Sequence, residues 1–117
     1  MRHLIFVFLI LGGCAQNEIG YEKYGISILD LSKDNYVIID KNGDTLVYNQ
    51  ITTFCKKNNK IIGFRKYLAG DNSIDAPQFT ENTGYFELNL TKKSVTYRPE
   101  LGVAEVISAC AGEQIVN

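Results

Sequence analysis

The feature that most restricts the fold of this chain is a hairpin signal in its first half. Two runs rich in β-branched and aromatic residues, YVIID at 36–40 and TLVYN at 45–49, flank the tetrad KNGD. Asn-Gly between two such runs predicts a tight turn, because both residues tolerate the positive φ that the common hairpin turns require. Strands joined by so short a turn are antiparallel. The sequence therefore predicts antiparallel β-structure from residue 36 to residue 49.

Further strand signals follow this hairpin. Residues 50–55 either continue the second strand or start another one, and residues 60–68 (KIIGFRKYL) predict the next, with Gly63 as a candidate bulge. Residues 84–90 alternate apolar and polar side chains, which is typical of a strand with one buried face. Residues 94–98 (SVTYR) predict the last strand.

The final segment changes to a helical period. Its apolar stripe has the spacing i, i+3, i+4 and i+7 and consists of Val103, Val106, Ile107 and Cys110. Pro99 suits a first helical position, and Gly112 suits a helix stop. We therefore expect a mainly β, α+β fold: an antiparallel β-meander of about five to seven strands with one C-terminal helix packed on the sheet.

The first residues have the composition of a secretory signal. Arg2 and His3 precede an apolar run at residues 4–11. At about 1.5 Å per residue, so short a run spans less than half of a hydrocarbon core that is roughly 30 Å thick. The run is therefore too short for a stable membrane span and predicts a signal peptide.

Residues 11–14, Leu-Gly-Gly-Cys, resemble the lipobox of bacterial lipoproteins. The resemblance covers the first 14 residues and implies that acyl chains such as palmitate are attached at Cys14, after cleavage before this cysteine. It implies a signal peptide at 1–13, a lipidated N-terminus and tether at 14–24, and a single small β-rich domain at 25–117. We do not recognise a family for the domain itself.

The same resemblance implies a location. Two or more acyl chains make membrane anchoring stable, so the mature chain is expected in the cell envelope, anchored by lipid and facing the periplasm. In Gram-negative lipoproteins an Asp after the cysteine favours retention in the inner membrane. Ala15 stands at that position and favours the outer membrane, if the host has one.

The two remaining cysteines, Cys55 and Cys110, form an even pair in an oxidising compartment. A disulfide between them is favoured, and it would stabilise the fold by roughly 4 kcal/mol on the chain-entropy model. The alternative is two buried free thiols that pack as small apolar groups.

Composition excludes several kinds of site. The one histidine of the chain, His3, lies in the segment to be removed, so the mature chain has no Ser-His-Asp or Cys-His catalysis and no His-ligated metal. The net charge of −1 gives no basic excess for binding nucleic acid. We predict no catalytic residues, no metal and no cofactor.

Three groups of residues are candidates for binding a partner. Residues 69–84 form a long connection that is either an ordered cover or a partner-binding loop, with candidate contacts Asp71, Asp75, Phe79 and Glu81. A candidate aromatic surface on the sheet face opposite the helix consists of Tyr48, Tyr67 and Tyr85. A basic run that is either a solvated hairpin face or a patch for an acidic partner consists of Lys56, Lys57, Lys60, Arg65 and Lys66.

These observations lead to one expected function and two alternatives. The expectation is a non-enzymatic, membrane-anchored lipoprotein that binds another protein, as inhibitors, immunity or exclusion factors and assembly accessories do. The first alternative is a structural or stress-related envelope lipoprotein without a specific partner. The second is a glycan hydrolase that uses carboxylates alone, drawn from Asp71, Asp75 and Glu81, for which two carboxyl groups must lie about 5–10 Å apart in a cleft.

Overall fold

The computed structural model describes residues 18–32, 34–66 and 82–117. They form an antiparallel sheet of seven strands, in which each strand pairs with its neighbours in sequence, and one helix. The strands are β1 (Glu18–Tyr21), β2 (Ile26–Ser32), β3 (Asn35–Asp40), β4 (Thr45–Lys57), β5 (Lys60–Arg65), β6 (Gly84–Asn89) and β7 (Ser94–Arg98). A single 3-10 turn, Glu22–Tyr24, links β1 to β2, and the helix α1 is Val103–Ala109. The predicted meander with a C-terminal helix is confirmed.

The hairpin predicted around Asn42 and Gly43 is also confirmed. Asp40 Oδ1 accepts hydrogen bonds from the backbone N–H groups of Asn42 (2.8 Å) and Asp44 (3.0 Å). Gly43 has a φ of 89°, the left-handed conformation that glycine adopts at little cost. The aspartate side chain and the glycine together fix the turn between β3 and β4.

Strand β4 is the longest strand and bends the sheet. Its first part pairs with β3 as far as Ile51, and its remainder pairs with β5. The register with β3 shifts between Val47 and Ile51, where Gln50 has a φ of 86° and its N–H donates to Asn35 Oδ1 (2.8 Å). Residues 50–55 therefore continue the preceding strand, and β4 carries the chain from one half of the sheet to the other.

The main core lies on the inner face of this bent sheet. It consists of Ile26, Ile28, Ile38, Val47, Ile51, Phe54, Ile61, Phe86, Leu88 and Leu90. Partly buried side chains from both terminal strands, among them Ile19 in β1 and Tyr97 in β7, pack against it. The two ends of the sheet therefore share one apolar interior, which is how a single curved sheet buries its apolar face.

A second, smaller cluster lies on the outer face, under the helix. It contains Cys55, Ile62, Tyr85, Val106 and Cys110. Since successive side chains of a strand point to opposite faces, its three strand residues lie on the face opposite their core neighbours in sequence. The helix thus packs on the outside of β4, β5 and β6.

The sheet begins at Glu18 rather than at residue 25. Residues 18–24, which the sequence assigned to the tether, form β1 and the 3-10 turn, and β2 follows at Ile26. In β1 the exposed residues Glu18 and Gly20 alternate with the half-buried Ile19 and Tyr21. This short, polar strand is stabilised by pairing with β2 and by packing on the core. Neither interaction can be predicted from the local sequence of β1.

The helix begins later than predicted, and its buried stripe is narrower. Gly102 is the N-cap, and its N–H donates to Glu105 Oε1 (2.7 Å), so Pro99 precedes the helix. Val106 is fully buried, but Val103 and Ile107 are 36 % and 47 % exposed. Seven residues make only two turns, and this helix contacts the sheet along one narrow line.

Gly63 is not a bulge. The β4–β5 register is regular from Thr53 to Lys57, and the β5–β6 register is regular throughout. A Cβ at Gly63 would lie 2.7 Å from Cζ of Phe86. The glycine makes room for this ring.

Candidate functional site

A disulfide joins the end of the helix to β4. The Sγ atoms of Cys55 and Cys110 are 2.04 Å apart, and both residues are at most 1 % exposed. Next to it, Lys57 Nζ donates to the carbonyl oxygen of Ala109 (3.1 Å), where a cation is favoured by the partial negative charge of a helix C-terminus. The helix is therefore a fixed part of the outer surface.

The chain that follows the helix is also attached to β4. Phe54 N donates to Val116 O (3.0 Å), and Val116 N donates to Phe54 O (2.8 Å). This bridge occupies the edge of β4 beyond the point where β3 starts. The C-terminal segment thus continues the sheet where β3 does not reach.

The helix presents two large apolar side chains to solvent, which we call the helix patch: Val103 and Ile107. Residues four apart lie on the same side of a helix, so the two side chains are neighbours. They are two of the three large apolar side chains at least 36 % exposed in the described part of the chain, and the third, Leu31, lies in β2. The helix patch is thus an apolar feature on a rigid element.

A hydrogen-bonded network lies on the same face as the helix. The Tyr85 hydroxyl donates to Glu87 Oε2 (2.6 Å), and Lys60 Nζ donates to Glu87 Oε1 (3.2 Å). The Tyr85 hydrogen bond, assisted by Lys60, lowers the pKa of Glu87. Burial and the bond to Glu87 raise the pKa of Tyr85 to about 12. Near neutral pH Glu87 is thus an anion and Tyr85 is neutral, and neither is poised to exchange a proton.

Lysines gather at one end of the sheet, where two turns meet. Lys57 and Lys60 are directly opposite in the β4–β5 hairpin, and Asn59 O accepts a hydrogen bond from Leu90 N (2.8 Å) in the turn between β6 and β7. That turn carries two more lysines. We call this set the lysine end: Lys56, Lys57, Lys60, Lys92 and Lys93.

Arg65 does not belong to this basic surface, although the sequence grouped it there. It is 2 % exposed, and its Nε donates to the carbonyl oxygens of Tyr48 (3.1 Å) and Asn49 (2.7 Å). Its Nη1 donates to Asn82 O (2.8 Å). Burial lowers the pKa of Arg65, but a guanidinium stays charged. Arg65 ties the bend of β4 to the residues before β6, and Lys66 lies at the end of β5 opposite to the lysine end.

A cleft of about 340 Å³ separates β1 from the C-terminal segment. It is lined by Ile19, Tyr21, Phe54, Lys56, Glu113, Gln114 and Val116. Lys56 Nζ lies 5.7 Å from the centroid of the Tyr21 ring, which is within the range of a cation–π contact. The cleft therefore brings the first strand next to the lysine end.

The predicted site residues are placed as follows. Outside the described residues lie Cys14, Tyr67, Asp71, Asp75, Phe79 and Glu81. Tyr85 is 7 % exposed and lies under the helix, not on the opposite face. The expected aromatic surface therefore loses Tyr85, and the backbone carbonyl oxygen of Tyr48 accepts a hydrogen bond from Arg65 Nε.

Searches for related proteins identify no relative: no family model, curated protein or solved structure matches this chain. Within residues 18–32, 34–66 and 82–117, no three side chains of His, Cys, Asp or Glu are grouped closely enough to hold a metal ion. In the same part of the chain no helix is long and apolar enough to cross a membrane.

Proposed function

We propose that this chain is a bacterial envelope lipoprotein, anchored through acyl chains on Cys14, whose β-domain acts without catalysis by binding a protein partner. Residues 1–13 are its signal peptide. It faces the periplasm, and in a Gram-negative host it is held in the outer membrane. In the described part of the chain, the domain that presents the binding surface begins with β1 at Glu18.

The observation that supports partner binding is the helix patch. The side chains of Val103 and Ile107 are 36 % and 47 % exposed to solvent. The helix on which they lie is held in place by its disulfide to β4. Apolar side chains on a rigid surface bind with little loss of conformational entropy, and such groups form the centres of protein interfaces. Polar residues flank the patch, as Glu105 and Ser108 are both exposed. The patch thus has the arrangement of an apolar centre with a polar rim.

The anchor is tested by mass spectrometry of protein extracted from the membrane fraction. We expect a mature N-terminus at Cys14 that carries acyl chains. A Cys14→Ala variant should keep its leader and lose the acyl mass. Recovery of the full-length, unacylated chain from the soluble fraction would overturn the proposal.

The binding surface is tested by photo-crosslinking in cells. A photoreactive residue at Ile107 should give a discrete cross-linked product, whereas the same residue at Thr96, exposed on β7, should give none. Ile107→Asp should abolish a product formed from a probe at Val103, while its free energy of unfolding changes by less than about 0.5 kcal/mol because the position is exposed. Absence of a product at both helix positions would favour an envelope lipoprotein without a specific partner.

A further inference from the structure

We propose that the lysine end binds the anionic headgroups of a phospholipid bilayer, so that the domain lies against the membrane with this end down. The biological setting of this inference rests on the proposed function, because the acyl anchor is what brings the domain to a membrane. The binding chemistry itself depends only on residues that the structure describes.

The first argument is that the fold places two like charges at neighbouring positions of the sheet. Lys57 and Lys60 are directly opposite in β4 and β5, and like charges at such positions destabilise a hairpin. Each has one compensating contact, Lys57 with the Ala109 carbonyl and Lys60 with Glu87. Compensation reduces the cost but leaves both ammonium groups at the same end of the sheet. An anionic surface outside the protein would relieve the repulsion that remains.

The second argument is that further lysines add to the same end. Lys92 and Lys93 lie in the turn beside Asn59, and Lys92 is exposed. In the described part of the chain, the carboxylates near these lysines include Glu87, which is paired with Lys60, and Glu113, which lines the cleft with Lys56. The exposed Glu22 follows Tyr21, whose ring lies under Lys56. The five lysines outnumber these carboxylates, although the net charge of the chain is −1. Positive charge therefore predominates among the described side chains of this end.

The third argument is the path of the chain. Tyr21, at the end of β1, contacts Lys56, and the strand back to Glu18 is about 10 Å long. Cys14 precedes Glu18 by four residues, whose covalent reach is at most about 14 Å. Glu18 lies at the end of β1 away from Lys56, and the covalent reach exceeds the length of the strand, so this reach permits a membrane anchor at Cys14 and the lysine end to meet the same bilayer surface. A lipid chain combined with a basic patch is a standard pair of membrane-binding signals.

The chemistry of the tip favours lipid over an acidic protein. The residues exposed between the lysines are Asn58, Asn59 and Thr91, and none of them supplies an apolar anchor. Protein interfaces depend on apolar or aromatic side chains at their centre, whereas attraction to a charged bilayer needs only basic residues near its surface. Lipid headgroups can also move to match the positions of the lysines.

The test is vesicle binding by the mature chain, residues 14–117, with Cys14→Ser so that no acyl chain contributes. Because acylation is removed, the result does not depend on whether Cys14 is lipidated. We expect cosedimentation with vesicles that contain phosphatidylglycerol, no binding to pure phosphatidylcholine vesicles, and release by salt. The pair Lys92→Gln and Lys93→Asn should weaken binding about 10- to 30-fold, since each lysine near an anionic surface contributes roughly fivefold. Asn suits position 93, where φ is 56°.

The matched control removes two positive charges from the other end of the sheet. Lys66→Gln with Arg98→Gln changes the net charge equally, and binding should stay within about twofold if local charge decides it. No binding to phosphatidylglycerol vesicles, or an equal loss in both double variants, would overturn the inference. So would a Lys92/Lys93 variant that binds vesicles normally but loses its cross-linked protein, because the lysine end would then belong to a protein interface. None of these outcomes bears on acylation of Cys14, which mass spectrometry decides separately.

Discussion

Gly63 lies on the inner face of β5, paired with Phe54 on one side and with Phe86 on the other. An added Cβ would lie 2.7 Å from Cζ of Phe86 and 2.8 Å from the carbonyl oxygen of Thr53, and the backbone atom cannot move aside cheaply. We expect Gly63→Ala to lower the free energy of unfolding by about 1–3 kcal/mol, the usual cost of overpacking a core. Urea denaturation measures this loss.

Gly20 provides the matched control for this substitution. It also lies in a strand with an ordinary φ, but a Cβ added there would have no heavy atom within 4 Å. Gly20→Ala should change the free energy of unfolding by less than about 0.5 kcal/mol. Equal losses in the two variants would show that strand glycine itself, and not the contact with Phe86, sets the cost.

Tyr85 and Glu87 make stability depend on pH. The pKa of Glu87 is lower in the folded protein than in the unfolded chain. The ionised carboxylate therefore adds to the free energy of unfolding at pH values above the unfolded-state pKa, and this stabilisation is lost as the pH falls through the folded-state pKa. Tyr85→Phe removes the main cause of this shift. We expect this substitution to lower the free energy of unfolding by about 1 kcal/mol near neutral pH, a modest value because Glu87 is partly exposed. The loss should be smaller at acid pH, where Glu87 is protonated. Urea denaturation across the acid range measures the difference.

A double-mutant cycle separates this effect from simple loss of packing. In a Glu87→Gln background the acid-dependent part of the Tyr85→Phe effect should disappear, because no carboxyl group titrates at that position. A loss that is the same at all pH values in the wild-type background would contradict the assigned role of the hydrogen bond.

Arg65 shows what local sequence did and did not reveal at the scale of one residue. It stands next to Lys66 in a basic run, which suggested a surface position. Yet Ile61, Gly63 and Arg65 are two residues apart along β5 and so lie on the same face of the strand. Ile61 and Gly63 face the core. Strict alternation would have placed Arg65 inside. The carbonyl groups that receive its hydrogen bonds come from β4 and from Asn82, and no local pattern predicts them.

At the scale of an element, the helix depends on the disulfide more than on its own sequence. Seven residues are too few for a stable isolated helix, and Val106 is its one fully buried side chain. We expect Cys55→Ala with Cys110→Ala to lower the free energy of unfolding by about 4 kcal/mol, the loop-closure value for a separation of 55 residues. Amide exchange within α1 should accelerate more than exchange in β5.

Treatment of the wild-type protein with reductant provides the comparison for this double variant. Both should reach the same stability, because each removes the same cross-link. A double variant as stable as the oxidised protein would mean that the contacts of Val106 and Lys57 hold the helix by themselves.

The strands divide into those that the sequence predicted and those that it did not. The strands from Tyr36 to Arg98 carry β-branched runs or clear alternation, so their presence follows from local pattern. Neither β1 nor β2 was predicted from the sequence. In β1 a glycine and a glutamate weaken the signal, and this short strand is held by pairing with β2. Of the four residues in the predicted apolar stripe, Val106 and Cys110 are buried, whereas Val103 and Ile107 are exposed. Periodicity predicts which side of a helix faces the sheet but not how wide the contact is.

At the scale of the whole molecule, stability should be highest where strands have partners on both sides. Strands β2 to β6 have partners on both sides. Of these, β4 is the longest and holds the disulfide, and its partner β5 contacts the helix. β1 has four residues and pairs with β2 alone in the described part of the chain. We expect native-state hydrogen exchange to be slowest in β4 and β5 and, among the strands, fastest in β1. Amides of β1 that exchange only with global unfolding would contradict this ranking.

The order of most of the strands was predictable, and the bend of the sheet was not. Every pair of neighbouring strands except β5 and β6 is joined by a short connection, so most of the meander follows from short turns. The pairing of β5 with β6 spans residues 66–83 and does not follow from a short turn. At the bend of β4, Gln50 is held by Asn35, and the bridge from Phe54 to Val116 attaches the C-terminal segment. Both contacts join residues far apart in the chain. The lysine end is likewise assembled from two turns, and the sequence indicated only the β4–β5 half of it. Long-range contacts of this kind produce no periodic pattern in the amino-acid sequence, so they could not be predicted from it.

The place of Cys110 in the chain sets an order of events in biogenesis. The last described strand ends at Arg98, so every described strand leaves the ribosome before Cys110, and in the export that we propose it also crosses the membrane first. Until Cys110 arrives, Cys55 has no other cysteine of the β-domain with which to pair. With the Cys14 sulfur esterified to lipid in the manner we propose, oxidation within one molecule has a single product. An isomerase would find no mispaired bond to correct in such a chain.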